Sequence, residues 1–317
     1  MRSKGLETRK MKIYINSPKE DWVADRYRNE WIQYNKKIFS RNYFGDKLIW
    51  IISPWTWRKI PKNILSTKSV LCTIHHIDED KFNEDEKIDF LERDNFVDHY
   101  HAISEKTYNQ LKKLTKKPIS IIPFWINQNI WNHIENKDKL RKKYGFNRDD
   151  FLIGTFQRDT EGSDLISPKL SKGPDRLIKI YSELNSSKDN LKVVLAGRRR
   201  QYIINELEKR EISFSYFEDT NFESLNELYN ILDLYIVASR FEGGPASIME
   251  SAITKTPIIS TNVGIASEIL HPKSLFDMDS AHIAIPDIDY AFEKAQKYTI
   301  PKQFEQYKLL FETVYEN

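Results

Sequence analysis

The first half of the chain alternates short apolar runs with longer segments in which apolar residues recur at helical spacing. A run of four to six apolar residues is typical of a strand that is buried on both faces, as in a parallel sheet. The predicted strands cover residues 11–16, 47–52, 69–74, 98–103 and 118–122. The predicted helices cover residues 25–39, 84–93 and 105–114. Ser104 precedes the third helix and is a good N-cap.

The same pattern restarts after a charged stretch at residues 136–150. The predicted strands of this second half cover residues 151–156, 191–196, 212–217, 232–237 and 257–260. The predicted helices cover residues 175–184, 201–210, 222–231, 246–254, 287–298 and 301–315. Strand–helix alternation indicates βαβ units, so we expect an α/β protein of two Rossmann-like, doubly wound domains that face a central cleft.

The restart of the pattern divides the chain into an N-terminal domain at residues 1–145 and a C-terminal domain at residues 146–300. A helix at about residues 301–317 is a candidate to pack back on the first domain. Ligands of doubly wound sheets bind beyond the carboxyl ends of the strands. The loops that follow the predicted strands are therefore where functional residues are expected.

Composition excludes several classes of protein. The 317 residues are 40% hydrophobic and 30% charged, which is typical of a soluble globular chain. No apolar run approaches the roughly 18 residues that a membrane span needs, and the first residues lack the apolar segment of a secretory signal. Cys72 is the one cysteine, so a disulfide framework and a Cys-based zinc site are excluded. We expect a cytoplasmic protein.

Charge and tryptophan are distributed unevenly. Residues 1–150 hold 30 Lys and Arg against 21 Asp and Glu, a net charge of +9, whereas the remainder has a net charge of −6. All seven tryptophans precede residue 132. A basic, aromatic first domain can face anionic lipid, phosphate, nucleic acid or sugar. The alternative is a lysine-rich surface over a core that contains the tryptophans.

Residues 239–268 hold the most informative pattern. Glu242 follows an apolar strand, Gly243 and Gly244 come next, and Pro245 is placed to start a helix that carries Glu250. Glycines let a backbone approach a ligand closely, and a helix N-terminus offers N–H groups to an anion. The pattern therefore suits a phosphorylated sugar ligand. Glu242 can accept hydrogen bonds from sugar hydroxyls, and Glu250 can hold the two hydroxyls of a ribose.

The two glutamates have two other possible roles. A glycosidase pair is disfavoured, because eight residues of helix span about 12 Å whereas hydrolysis requires carboxyl groups roughly 5–9.5 Å apart. Alternatively, both glutamates cap and solvate a helix. On the spacing alone, this structural role is favoured over a ligand site.

Further positions resolve the choice, because residues 151–270 resemble the donor-binding half of the retaining GT-B glycosyltransferases of family 4. The positions that carry the resemblance are Gly154, Thr155, Phe156, Arg158, Lys172, Gly173, Pro174, Asp175, residues 193–197, Leu228, Tyr229, Asp233, Ser239, Glu242, Gly243, Glu250, Pro257, Val263, Gly264 and Glu268. The resemblance implies a nucleotide-diphosphate sugar as co-substrate. It implies that Arg158 and Lys172 neutralise the diphosphate, that Glu242 contacts the donor sugar and that Glu250 contacts the ribose.

The basic pair is more widely spaced than is typical of the family. Arg158 and Lys172 are 14 positions apart, because an insertion separates them. This insertion is expected to form a loop over the donor, and it makes Lys169 an alternative to Lys172. Three arginines at residues 198–200 follow another strand, and we expect them at a solvent-facing helix start.

The first domain resembles the family less closely. His75 resembles the family's histidine at the cleft, and the adjacent His76 is the alternative to it. The glycine-rich first loop of the family is absent from residues 16–27, so other side chains are expected to shape the acceptor side. The acceptor-side candidates are Trp22, Asp25, Arg26 and Asp78.

These observations lead to one main hypothesis, a retaining glycosyltransferase of the hexosyltransferase type. The resemblance implies that no metal or other cofactor is needed and that the departing phosphate helps to accept the proton of the acceptor. It suggests a glycan or lipid-linked acceptor in surface polysaccharide or lipopolysaccharide assembly. The basic first half would suit electrostatic contact with an anionic membrane at its cytoplasmic face.

Two alternatives remain open at this point. The first is a catalytically inert nucleotide-sugar-binding protein. The second is a sugar transferase that modifies DNA, although no recognition helix or nucleic-acid module is visible, so nucleic acid is disfavoured as a partner.

Overall fold

The computed structural model describes residues 11–17, 19, 23–45, 48–162 and 164–316. These residues divide into two compact units. The first unit contains the described residues up to Ile122 together with those from Gln303 onward, and the second unit runs from Pro123 to Lys302. One parallel sheet of six strands forms the centre of each unit.

The sheet of the first unit has the order β2-β1-β3-β4-β5-β6, and every pairing is parallel. Its strands are β1 (Ile13–Ile15), β2 (Phe39–Ser40), β3 (Leu48–Ile51), β4 (Ser69–Ile74), β5 (His99–Ala102) and β6 (Ile119–Ile121). Ile51 of β3 lies opposite Cys72 of β4, and Ile74 of β4 lies opposite Ala102 of β5. Because the strands are parallel, the loops that follow β1, β3 and β4 meet at the same edge of the sheet.

Four α-helices connect these strands in the described part of the unit. They are α1 (Val23–Tyr34), α2 (Lys62–Leu65), α3 (Glu84–Asp94) and α4 (Glu105–Leu111). Asparagine and serine side chains cap two of them: Asn83 accepts a hydrogen bond from the backbone N–H of Glu86, and Ser104 accepts one from that of Thr107. The predicted N-cap at Ser104 is confirmed.

The sheet of the second unit has the order β12-β11-β10-β7-β8-β9 and is also parallel throughout. Its strands are β7 (Phe151–Thr155), β8 (Leu191–Ala196), β9 (Phe214–Phe217), β10 (Leu234–Val237), β11 (Ile258–Thr261) and β12 (Leu275–Phe276). The first strand, β7, lies in the middle, so the direction of strand order reverses between β7 and β10. Such a reversal opens a crevice beyond the carboxyl ends of the two strands, where doubly wound proteins bind ligands.

Helices cover both faces of this second sheet. They are α5 (Lys137–Lys143), α6 (Pro174–Ser187), α7 (Gln201–Lys209), α8 (Phe222–Ile231), α9 (Ala246–Ile253), α10 (Ala266–Ile269) and α11 (Ile288–Gln296). Consecutive strand residues point into different apolar clusters, since Leu152 packs in one and Ile153 in the other. Burial on both faces explains why these strands read as continuous apolar runs.

The last helix, α12 (Lys302–Glu316), packs its aromatic side chains on the first unit. The ring centroid of Phe304 lies 5.1 Å from that of Trp31, and that of Phe311 lies 5.1 Å from that of Trp50. Five of the tryptophans are buried core residues, namely Trp31, Trp50, Trp57, Trp125 and Trp131. Trp55 is 47% exposed. For these five, tryptophan is a packing residue and not part of a binding surface.

The predicted pair of doubly wound parallel sheets is confirmed. The chain passes from the first compact unit to the second after Ile122, whereas the sequence pattern predicted a domain boundary at residue 145. Trp131, Leu140 and Phe146 all pack in the core of the second unit, which explains why residues 123–145 belong to that unit. No helix in the described part of the chain is long and apolar enough to cross a membrane.

Candidate functional site

The candidate site lies where strand order reverses in the second sheet. The loop after β7 begins at Phe156, and the loop after β10 contains Ser239 and Glu242. β7 and β10 are neighbours, so these two loops emerge side by side from the same edge of the sheet. Residues more than 80 positions apart in sequence therefore contact one another directly.

Lys172 is held against this edge by the backbone around it. The backbone N–H groups of Arg240 and Phe241 both donate to the carbonyl of Ser171, at 2.8 and 3.2 Å. Gly173 has a φ of +66°, and a Cβ there would lie 2.0 Å from the carbonyl oxygen of Ala238. Only glycine fits this close, left-handed position, and it starts helix α6 directly after the lysine.

Glu242 is the centre of a polar cluster. Its carboxylate forms an ion pair with the ammonium of Lys172, and its side chain is only 7% exposed. The Oε1 atom of Glu242 also lies 3.2 Å from Nε2 of Gln157 and 3.3 Å from Oγ of Ser239. The structure therefore brings together the predicted residues Lys172 and Glu242. Lys169, the alternative to Lys172, precedes the same short turn and donates its backbone N–H to the carbonyl of Asp159 at 2.7 Å.

The glycine pair after Glu242 is packed closely against another loop. Gly264, in the loop after β11, has a φ of +52°, and a Cβ there would lie 2.1 Å from the carbonyl oxygen of Gly243. Pro245 then occupies the N-cap of α9, whose first residue is Ala246. The strand, the glycines and the helix start thus follow the predicted order.

Glu250 lies on α9 and is only 5% exposed. The hydroxyl of Tyr229 donates a hydrogen bond to its Oε2 atom at 2.9 Å. Burial and the negative charge of Glu250 raise the pKa of Tyr229 well above its usual value, so this hydroxyl remains a donor. Tyr229 is thus a supporting residue of the site that the sequence pattern marked only as a motif position.

The described residues of the insertion between Arg158 and Lys172 form a hairpin. Thr160 and Pro168 form an antiparallel bridge, and the backbone N–H of Glu161 donates to the carbonyl of Ser167 at 3.0 Å. Its turn is capped by Asp164, whose carboxylate accepts the N–H of Ser167 at 3.1 Å. Arg158 is half-buried at the base of this hairpin, directly after the strand end that supplies Gln157.

One expectation about the arginines at residues 198–200 is wrong. Arg200 is fully buried and donates from Nε to the carboxylate of Asp159 at 2.8 Å. Its Nη1 atom also donates to the carbonyls of Thr155 and Ala196, which end β7 and β8. Arg200 therefore fastens two strand ends and is not solvent-facing. Arg198 does lie on the surface, with an exposed side chain that pairs with Asp219.

His75 follows β4 at the carboxyl edge of the first sheet, and His76 beside it is exposed. The Nε2 atom of His75 donates to the carbonyl of Ile52, 2.8 Å away. Burial lowers the pKa of His75 to about 4, an effect that outweighs the bond to Ile52 and that the charge of His76 reinforces. At neutral pH the ring is therefore neutral, with Nε2 protonated and Nδ1 unprotonated.

The acceptor-side candidates also belong to the first unit. Asp25, in the first turn of α1, accepts a hydrogen bond from the hydroxyl of Ser17 at 3.1 Å, so it connects this helix to the residue that closely follows β1. Arg26 is the next residue, and its Cζ atom lies 5.2 Å from the centroid of the Tyr27 ring. Asp78 is part of the loop after β4, and its carbonyl accepts the N–H of Lys81. Trp22 lies outside the described residues.

Sequence reasoning missed two polar residues at these sheet edges. Gln157 directly precedes Arg158, and its amide contacts Glu242. Asn16 follows β1, and its Oδ1 atom accepts the N–H of Ile52 at 3.0 Å, which joins the loops after β1 and β3. The signal that could have found both is their position immediately after a strand. Across the described ranges, no group of three or more His, Cys, Asp or Glu side chains could hold a metal ion.

A family model of the glycosyl transferases group 1 matches residues 136–303, which is more than half of the chain. The matched segment contains the whole second sheet and the cluster around Glu242. The comparison with curated proteins gives no match.

Several solved structures share the fold. Sucrose-phosphate synthase from Thermosynechococcus elongatus is 15% identical with a TM-score of 0.69, over 95% of this chain and 81% of that chain. HepE from Anabaena, in complex with UDP, is 13% identical with a TM-score of 0.72, over 96% of this chain and 100% of that chain. The pneumococcal O-GlcNAc transferase GtfA, in complex with UDP and GlcNAc, is 16% identical with a TM-score of 0.63, over 85% of this chain and 57% of that chain.

Proposed function

Since the chain belongs to the glycosyl transferases group 1 family, it is a glycosyltransferase, and we propose that it transfers a sugar from a nucleotide-diphosphate sugar with retention of configuration. Its GT-B fold consists of two Rossmann-like units. The observation that carries the proposal is the ion pair of Lys172 with Glu242 at the strand-order reversal of the second sheet. A cation for a diphosphate and a carboxylate for sugar hydroxyls are adjacent there.

The basic residues of the proposed site serve the leaving group. When the bond between sugar and diphosphate breaks, negative charge develops on the departing oxygen and must be stabilised by groups already in place. Lys172 provides a point charge, and the Arg158 guanidinium provides a planar fork that suits phosphate oxygens. These two side chains would do the work that a divalent cation does elsewhere, so we propose that transfer is independent of metal.

The acidic residues serve the sugar rings. Glu242 would accept hydrogen bonds from hydroxyls of the donor sugar, in the loop where Gly243 and Gly244 let the backbone approach the ligand. Glu250 lies further along, on α9, and would accept hydrogen bonds from the ribose. The N-terminus of α9 would face the diphosphate with its N–H groups.

The proton of the acceptor hydroxyl would pass to the departing phosphate, in a substitution at the front face of the sugar. In this mechanism the protein needs no strong base, and a neutral His75 suits an orienting role through hydrogen bonds. Asp25, Arg26 and Asp78 are the proposed acceptor-side residues. We propose a glycan or lipid-linked acceptor of surface polysaccharide or lipopolysaccharide assembly.

The proposed donor is a uridine diphosphate sugar, because the similar structures of HepE and GtfA are complexes with UDP. The proposed location is the cytoplasm, at the anionic face of the membrane, where the excess of 30 Lys and Arg over 21 Asp and Glu in residues 1–150 would favour reversible binding. Such binding should weaken as the salt concentration rises.

A thermal-shift screen against UDP, GDP, ADP, CMP and their sugar conjugates tests the donor. We expect one nucleotide diphosphate to raise Tm selectively, because a ligand of the folded state at 100 times its Kd stabilises that state by about 2.7 kcal/mol. Equal shifts in EDTA and in Mg²⁺ are expected. The absence of any shift would contradict the donor site.

Incubation of the selected sugar nucleotide with acceptors tests the reaction. Analysis of the product by NMR is expected to give the same anomeric configuration as the donor. An inverted product would contradict retention. Donor binding without transfer to any glycan or lipid-linked acceptor would favour the inert nucleotide-sugar-binding protein.

A further inference from the structure

The carboxylate of Glu242 is almost enclosed by hydrogen-bond donors that converge on one of its oxygens. Its side chain is 7% exposed, and Oε1 is the atom contacted by Lys172, by Gln157 Nε2 at 3.2 Å and by Ser239 Oγ at 3.3 Å. A carboxylate removed from water in this way needs such donors to replace the hydrogen bonds of the lost water.

The three donors differ in whether other acceptors compete with Glu242 for their protons. The hydroxyl of Ser239 has a single proton, and it lies within 3.5 Å of three acceptors, namely Gln157 Oε1, the Lys172 carbonyl and Glu242 Oε1. The Gln157 amide has two N–H groups, and its oxygen is within reach of Ser239. Gln157 is therefore the neutral donor that can stay on Glu242 in every arrangement of the Ser239 proton.

Binding of a diphosphate would change which donors contact Glu242. The ammonium of Lys172 is a point charge on a flexible stem, and a diphosphate attracts it more strongly than a single carboxylate does. Once Lys172 turns toward the phosphates, Glu242 keeps only neutral donors. If none were there, the enclosed carboxylate would turn away toward water, and it could no longer accept two hydrogen bonds from a sugar.

We propose that Gln157 is a positioning residue for the donor sugar, and this inference rests on the proposed function. Its amide holds the Glu242 carboxylate in place through Oε1, so that Oε2 is directed to the hydroxyls of the sugar while Lys172 binds the diphosphate. Gln157 is the residue next to Arg158 in the sequence, and its amide contacts the same oxygen of Glu242 as the ammonium of Lys172 does.

The first test compares binding of UDP with binding of the UDP-sugar that the screen selects. Gln157→Met keeps the length of the side chain and removes its donor. We expect Kd for UDP to change less than about twofold, whereas the extra affinity for the UDP-sugar and kcat both fall about tenfold, as for the loss of a hydrogen bond to a charged group. Gln296→Met, at an exposed glutamine on α11, is the matched control and should change neither quantity.

Two results of this comparison would overturn the proposal. One is a Gln157→Met variant with the wild-type ratio of UDP to UDP-sugar affinity and the wild-type kcat. The other is an equal loss of affinity for UDP and UDP-sugar together with a lower Tm, which is the mark of a residue that only stabilises the loop.

The second test needs no donor, so it separates this inference from the proposed function. In a Lys172→Met background, Gln157 is the main donor left to Glu242. We expect Gln157→Met to lower Tm more in that background than in the wild type, because the two residues share one carboxylate. Additive changes in Tm would overturn the positioning contact. If the coupling is present and no nucleotide sugar binds the wild type, the contact stands and the proposed function fails.

Discussion

Gly264 lies directly against the carbonyl group of Gly243, so closely that a Cβ on residue 264 would be 2.1 Å from the carbonyl oxygen. This contact joins the loop after β11 to the loop that carries Glu242. The backbone there also has a φ of +52°, which strains any residue with a Cβ. The position of Glu242 relative to α9 therefore depends on the absence of one methyl group in a different loop.

Gly264→Ala should displace the Glu242 loop and lower both Tm and donor affinity. Gly145→Ala is the matched control, since Gly145 has a φ of +78° with nothing within 4 Å of its Cβ position. We expect the control to lose about 1 kcal/mol of stability from backbone strain alone and to bind the donor normally. Thermal unfolding and UDP-sugar titration of both variants measure the difference. Identical behaviour of the two variants would show that the close contact has no effect.

Lys172 and Glu242 should respond unequally to removal. The Lys172 side chain is 25% exposed, so water can hydrate its ammonium when Glu242→Gln removes the carboxylate. The Glu242 side chain is only 7% exposed, so Lys172→Met leaves a poorly hydrated carboxylate without this cation. We therefore expect Lys172→Met to lower Tm by more than Glu242→Gln does. Glu242→Gln should instead reduce kcat by about a hundredfold or more, with the fold intact. Full activity of that variant would remove Glu242 from the site.

Arg158→Ala should weaken UDP binding by about tenfold or more, because it removes charge-assisted hydrogen bonds to the diphosphate. The extra affinity of the UDP-sugar over UDP should be unchanged, since that quantity reports on the sugar. Arg198→Ala is the control, at an exposed arginine that pairs with Asp219. Isothermal titration with UDP measures both variants. Unchanged UDP affinity in Arg158→Ala would contradict the role of Arg158.

Two histidines of the first unit, the half-buried His75 and the buried His101, should make the protein lose stability in acid. Burial lowers the pKa of His75 to about 4 and that of His101 to about 3. His101 is locked in its neutral form, because the Thr73 hydroxyl donates to Nδ1 at 2.9 Å and Nε2 donates to the carbonyl of Ile122 at 2.6 Å. In the unfolded chain both residues take up a proton near pH 6.5.

Between about pH 6.5 and pH 4 the unfolded state therefore binds more protons than the folded state, and the free energy of unfolding should fall as the pH is lowered. Above pH 6.5 this contribution is fully present. Urea unfolding at pH 7.5 and pH 5 measures the loss. His75→Gln keeps a donor for Ile52 and should reduce the loss, whereas His282→Gln, at an exposed histidine, should not. A loss of equal size in wild type and His75→Gln would contradict the prediction.

Local sequence patterns predicted most of the elements correctly. The predicted helix at residues 222–231 and the predicted strands at residues 69–74 and 191–196 have the observed bounds. These segments were predictable because each is long enough to show the periodicity of its buried apolar residues. The strand β2 (Phe39–Ser40) was not predicted, because two residues are too short to show any period.

Candidate residues were recognisable from sequence where they lie close together along the chain. Glu242, the two glycines, Pro245 and Glu250 lie within nine positions, and their order alone indicates a strand, a loop and a helix start. Arg200 was misplaced, because its partner Asp159 is 41 positions away and a charged side chain is usually exposed. Only the packed strand ends place that pair in the interior.

The sequence by itself determined that the chain forms two parallel α/β sheets and which loops follow their strands, because apolar periodicity is a local property. The tertiary structure alone decided the order of the strands. That order makes β7 and β10 neighbours and so brings Gln157 to Glu242, 85 positions apart. Strand order depends on how helices and strands from distant parts of the chain share one core, and no spacing along the sequence records that choice.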